Sequence, residues 1–234
     1  EDYNRVCDYS ATIGLDVISI SYPNNVPAAP LGSSSDKFVF DNYRDEICFG
    51  NPVSDEIDVN ILNSINTRTI KLLEYLHTEY PDQNRNQYLT SSNSLQWDKI
   101  IVSGHSQGSG HACYLGKRNL VERVVMFSGP NDYSTFYNKP ANWISQIGDT
   151  PLNKQFSLLH TQDQIVSFSN QVEILRGLGI ITSTETHTKV DNLTTTYSNS
   201  NSLSLNISAI SNHNSTIGSS SILTEIWEYM LTHE

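Results

Sequence analysis

The stretch that most constrains this chain is Ile100-Ile101-Val102-Ser103 running without a break into Gly104-His105-Ser106-Gln107-Gly108-Ser109-Gly110-His111-Ala112. The apolar run is short and β-branched, as expected of a strand buried on both faces. Gln107 to Leu120 reads as a helix. No residues are left over for a loop, so strand must become helix within a sharp turn centred on Ser106. Residues two before and two after the serine approach each other in such a turn, which predicts that Gly104 and Gly108 are both there to avoid Cβ clashes. A strand feeding directly into a helix is half of a βα unit, and βα units build parallel sheets.

The rest of the chain alternates in the same way. Residues 4–14 read as a short helix ending at Gly14. Leu15 to Tyr22 reads as a strand stopped by Pro23. Residues 24–55 form a long mixed excursion. Residues 58–80 give an amphipathic helix with Ile61, Ile65, Leu72 and Leu76 on one face. Val121–Ser128 and Phe156–His160 are further strands, and 166–176 is a helix stopped by Gly177. Residues 181–202, rich in Ser, Thr and Asn, form an edge strand or a loop. Leu203, Leu205, Ile207 and Ala209 alternate with polar residues, which predicts a strand with one wet face. A last helix starts near Ser221 and carries Ile222, Ile226 and Met230. The fold class is therefore α/β: a mostly parallel sheet flanked by helices on both faces.

Composition narrows the partners. The formal net charge of −11 repels polyanions, so nucleic acid is not an expected partner. No run of about 18 apolar residues occurs, so no membrane span is expected. The three cysteines, Cys7, Cys48 and Cys113, form no metal-ligand spacing. Cys113 lies in an apolar helix and reads as a small buried residue. Cys7 and Cys48 are expected to pair if the compartment is oxidising. That pairing and the sequons at Asn192, Asn206 and Asn214 lean toward a secreted or periplasmic location.

Gly104-x-Ser106-x-Gly108 after a buried strand and before a helix is the context in which a serine can be lifted off a sheet as a nucleophile. Here the chain resembles the α/β-hydrolase superfamily, over nearly its whole length. The GHSQG form recurs in esterases, lipases and thioesterases of that fold. Trp97-Asp98-Lys99, GHSQGSGHA, Arg123 to Pro130, Pro140-Ala141-Asn142-Trp143 and the His160/Asp163 pair are together similar to a less characterised, esterase-like branch.

The resemblance implies a triad in the chain order serine, acid, histidine. It places the acid after the strand at 155–160, where Asp163 is the choice. Asp132, after the preceding strand, is the rival. The base is expected on a loop after the last strand, where His213 fits. His105 and His111 read as packing or hydrogen-bonding residues, and His160 as a shaper of the acid loop. His213 would take the Ser106 proton, Asp163 would orient the imidazole, and the Gln107 backbone N–H would be one oxyanion donor. No cofactor and no metal enter this chemistry, and the partner is a small acyl substrate.

The family's second oxyanion donor comes from a loop between its third strand and first helix. If 4–14 is that helix and 15–22 the fourth strand, the first three strands are absent, and residues 1–234 read as one N-terminally truncated hydrolase domain. A sheet lacking the third strand would hold a gap or be rearranged, unless Tyr3, Asn4 or the Tyr22-Pro23-Asn24 turn serves the site instead. Residues 131–153 are expected to form a small lid with Tyr133, Phe136, Tyr137 and Trp143 as pocket walls. The leading function is carboxylic-ester hydrolysis. Thioesterase, lipase or peptidase activity on the same triad is a close variant, and a non-catalytic binding protein on a hydrolase scaffold is the alternative from another class.

Overall fold

The computed structural model of the 234-residue chain describes residues 3–182, 187–192, 197 and 200–233. Its centre is a five-stranded, wholly parallel sheet. The strands are β1 (Ile101–His105), β2 (Arg123–Phe127), β5 (Gln155–His160), β6 (Thr188–Lys189) and β7 (Ser202–Leu205). They lie in the order β1-β2-β5-β7-β6. A separate two-residue ladder pairs β3 (Tyr133–Ser134) with β4 (Lys139–Pro140). Among the described residues the α-helices are α1 (Asn4–Thr12), α2 (Val39–Phe49), α3 (Ile65–Glu79), α4 (Gln107–Arg118), α5 (Phe168–Leu178) and α6 (Ile222–Thr232).

Side-chain alternation along the strands divides the interior into two cores. Val102, Val124, Met126 and Leu159 point to one face, where α2, α4 and α5 cover them. Val125, Phe127, Phe156, Leu158, Leu203 and Leu205 point to the other, under α1 and α6. All five residues of β2 are buried, which is why Val124 to Phe127 is an unbroken apolar run rather than an alternating one. The α/β architecture with helices on both faces thus follows from two apolar sheet faces that each need a cover.

Several local expectations are corrected. Residues 15–22 join no sheet. They run alongside the free edge of β1 across a cavity of about 640 Å3, lined by Leu15, Ile18, Ile20, Leu73 and β1 itself. A strand-like sequence becomes a strand only when a neighbour lies within ladder distance, and here a gap intervenes. Ile61 and Leu62 are exposed in a short 3-10 turn, because Ser64 caps α3 by accepting the Thr67 N–H. Gly177 lies inside α5, and the helix stops at Gly179 in the left-handed region. Strand β7 has no wet face: Ser202 and Ser204 are as buried as the leucines between them. Within 181–202 the short edge strand β6 forms, while residues 183–186, 193–196 and 198–199 lie outside the described residues. The excursion at 24–55 contains α2, whose Val39, Phe40, Tyr43 and Ile47 are buried and whose end is Gly50 at φ 77°.

The expected Cys7–Cys48 disulfide is absent, and all three cysteines are free. Cys7 is on α1, which covers one face of the sheet, while Cys48 is on α2 in the core of the opposite face. The sheet itself separates them. Cys7 is half-buried, Cys48 and Cys113 are fully buried, and burial raises all three thiols. A thiol reagent should therefore modify Cys7 slowly in the native protein, and Cys48 and Cys113 only after unfolding. Intact mass should not change on reduction. A mass gain on reduction would contradict this arrangement.

Candidate active site

One strand-to-helix turn and two loops meet at the carboxyl ends of the parallel strands, where open α/β sheets place their ligand sites. Ser106 follows β1, Asp163 follows β5 and His213 follows β7. The structure brings these three expected residues together. His213 Nε2 is 2.7 Å from Ser106 Oγ, and His213 Nδ1 is 2.6 Å from Asp163 Oδ2. The imidazole and the carboxylate are almost wholly buried, while Ser106 is partly buried.

Ser106 has φ 54° and ψ −116°, far from the helical values of the residues that follow. Its N–H donates to Phe127 O at 2.9 Å, tying the turn to the end of β2. The glycine requirement is real at only one of the two positions. A Cβ on Gly104 would lie 2.2 Å from the Gly108 carbonyl carbon, whereas a Cβ on Gly108 would meet nothing within 4 Å. The backbone of 108 presses on Gly104, and not the reverse.

Asp163 is well provided with donors. Its Oδ1 accepts the N–H groups of Ile165 and Val166 at 2.8 and 3.0 Å. Burial raises its pKa, but the His213 bond and the two amides outweigh burial and hold the carboxyl below its usual value. An ionised carboxylate only accepts, so the proton at their shared bond belongs to His213 Nδ1. In the neutral imidazole Nε2 is then the acceptor, and the Ser106 hydroxyl donates to it. The tautomer follows from the carboxylate.

The loop carrying His213 is held through its backbone. The His213 carbonyl accepts from Ser128 Oγ at 2.5 Å and lies 3.1 Å from His105 Nε2. Asn212 Nδ2 donates to Gln162 O in the acid loop. His160 packs its ring between Ile207 O and the Gln162 N–H, and so helps shape the loop that carries Asp163. His105 has the hydrogen-bonding role read for it.

Asp132 does different work. Its carboxylate is fully buried and takes a forked bond from Arg44, Nη2 to Oδ1 at 2.5 Å and Nε to Oδ2 at 2.9 Å. The Trp143 indole N–H adds a third bond at 2.9 Å. Arg44 also donates to Gln107 O at 2.9 Å and contacts the His111 ring. Burial and the adjacent guanidinium push His111 well below its usual pKa, which leaves a neutral ring able to accept. Gly110 makes room: a Cβ there would lie 2.3 Å from Arg44 Nη2. Arg44 is the site-supporting residue that sequence reading missed. The buried spacing Phe40, Tyr43, Ile47 was the available signal for its helix.

Of the residues named for service at the site, Tyr3 donates to Ser103 Oγ on β1, two residues short of His105. Asn24 reaches the turn through Gln107, whose side chain accepts the Ala28 N–H and donates to Asn24 Oδ1. In the segment 131–153, Tyr133 and Trp143 are buried, while Phe136 and Tyr137 are exposed. Among the described residues no cluster of three or more His, Cys, Asp or Glu is arranged to hold a metal, and no helix is long and apolar enough to cross a membrane.

The two aspartates should separate by substitution. Asp132→Asn leaves Arg44 buried beside a neutral partner and is expected to cost about 3–5 kcal/mol in urea unfolding. Asp163→Asn should cost less. Because the folded pKa of Asp163 is depressed, its contribution is present above the unfolded value and is lost as pH falls through the folded one, so the Asn variant should lose part of the acid dependence of stability. An Asp132→Asn variant as stable as the parent would contradict the structural role.

Comparison with family models, with curated proteins and with solved structures returned no match, so the reading of the site rests on its own geometry.

Proposed function

We propose that this chain is a serine hydrolase of the α/β-hydrolase type that cleaves carboxylic esters through an acyl-enzyme on Ser106. The observation that carries the reading is the continuous hydrogen-bonded row Ser106 Oγ, His213 Nε2, His213 Nδ1, Asp163 Oδ2, on one turn and two loops distant in sequence. A serine, a neutral imidazole and a buried carboxylate in that order are what a weak hydroxyl nucleophile needs. The partly exposed position of Ser106 at a strand-to-helix turn supports the same reading.

The steps follow from the tautomer. Ser106 Oγ attacks the ester carbonyl carbon as its proton passes to His213 Nε2. Asp163 stabilises the resulting imidazolium. The carbonyl oxygen becomes an oxyanion and accepts from the Gln107 N–H, at the first position of α4, where the helix has free amides and the positive end of its dipole. Losing one such donor typically costs about 3 kcal/mol of transition-state stabilisation. The intermediate collapses as the Nε2 proton goes to the departing alkoxide. A water then repeats the sequence on the acyl-enzyme, with Nε2 taking its proton and returning it to Ser106 Oγ.

A fluorophosphonate probe should label Ser106, and p-nitrophenyl butyrate should be hydrolysed. Ser106→Ala and His213→Ala should each lower kcat by about a thousandfold or more without unfolding the protein. A native protein inert to both reagents would point to a binding protein on this scaffold. A Ser106→Ala variant with parental turnover would place the chemistry elsewhere.

A further inference from the structure

The Ser106–Gln107 peptide supplies the oxyanion donor in the reading above, and its carbonyl accepts twice from one residue. The hydroxyl of Ser109 donates to Ser106 O at 2.5 Å, and the Ser109 N–H donates to the same oxygen at 3.1 Å. Ser109 is fully buried. A helical serine commonly bonds a carbonyl of the preceding turn. Here it belongs to Ser106, whose backbone is outside the helical region. The hydroxyl fits because residue 129 is glycine: a Cβ there would lie 1.9 Å from Ser109 Oγ. The next carbonyl, that of Gln107, is held in turn by Arg44.

We infer that Ser109 is a positioning residue for acyl transfer, fixing and polarising the peptide whose N–H receives the oxyanion. In a trans peptide the N–H points opposite to the C=O. Clamping Ser106 O therefore sets the direction of the Gln107 N–H before substrate arrives. A carbonyl that accepts a hydrogen bond also makes its own N–H a better donor, because hydrogen bonds in a chain polarise one another. Two donors on one oxygen produce both effects, and neither requires Ser109 to touch substrate. Gly129 belongs to the same device, since any side chain there displaces the hydroxyl. This inference deepens the acyl-transfer reading and rests on it.

Ser109→Ala tests it with little risk to folding, since Ser106 O keeps the Ser109 N–H. A trifluoromethyl ketone, which adds to the serine to give a charged hemiketal, reports on the oxyanion contact. A short p-nitrophenyl ester reports on ground-state binding through KM. The variant should bind the ketone about tenfold more weakly and lose kcat by a similar factor, with KM within about twofold of the parent. Gly129→Ala should reproduce the pattern by moving the hydroxyl. A purely structural serine would lower the melting temperature and leave the ratio of ketone affinity to KM unchanged. Parental kcat and ketone affinity in Ser109→Ala would overturn the inference alone. A native protein that does not take up the ketone at Ser106 would overturn the acyl-transfer reading and this inference with it.

Discussion

The backbone of Ser106, at φ 54° and ψ −116°, occupies a region that costs of order 1–3 kcal/mol for a residue with a side chain. The surrounding contacts over-determine it. Gly104 lies against the Gly108 backbone, the Ser106 N–H is bonded to β2, and the Ser106 carbonyl is bonded twice by Ser109. Behind these, Arg44 bonds Gln107 O and anchors the first turn of α4 to α2 and to the segment around Asp132. A strained residue persists only in such a frame. The consequence is a hydroxyl presented at the carboxyl edge of the sheet, within bonding distance of an imidazole that comes from more than a hundred positions later in the chain.

The two buried aspartates show how environment divides identical groups. Asp132 meets a guanidinium and an indole and becomes part of the scaffold. Asp163 meets an imidazole and two backbone amides, and the proton it directs to His213 Nδ1 decides which way Ser106 donates. Removing either partner of the Arg44 pair leaves an uncompensated buried charge, a larger penalty than most single contacts carry. In the proposed mechanism, scaffold and chemistry therefore fall to different carboxylates, one after β2 and one after β5.

Much of this was legible in sequence where the signal is local. The run from Ile100 to Ala112 encodes strand, turn and helix without a break, and the structure has all three there. The family resemblance, not a local pattern, singled out Asp163 and His213, and both lie on loops that follow strands of the sheet. What was illegible depends on tertiary context. Leu15 to Tyr22 has the composition of a strand and lacks only a neighbour. Ser202 and Ser204 look solvent-facing, yet small hydroxyl side chains can be buried where lysine or glutamate could not. Arg44 reads as a surface residue on any composition argument, and only the fold reveals the carboxylate and the carbonyl that it meets. Helix α2 was obscured by flanking turn residues, although its apolar spacing was present.

The central claim is that Ser106 and His213 act as one unit rather than as neighbours that happen to bond. A kinetic cycle measures this directly: ester hydrolysis by Ser106→Ala, by His213→Ala and by the double variant. Side chains that serve a single proton-transfer step lose it once, so the double variant should be no slower than the slower single one. Losses that multiply across the cycle would mean that the two residues act independently, and would contradict the account.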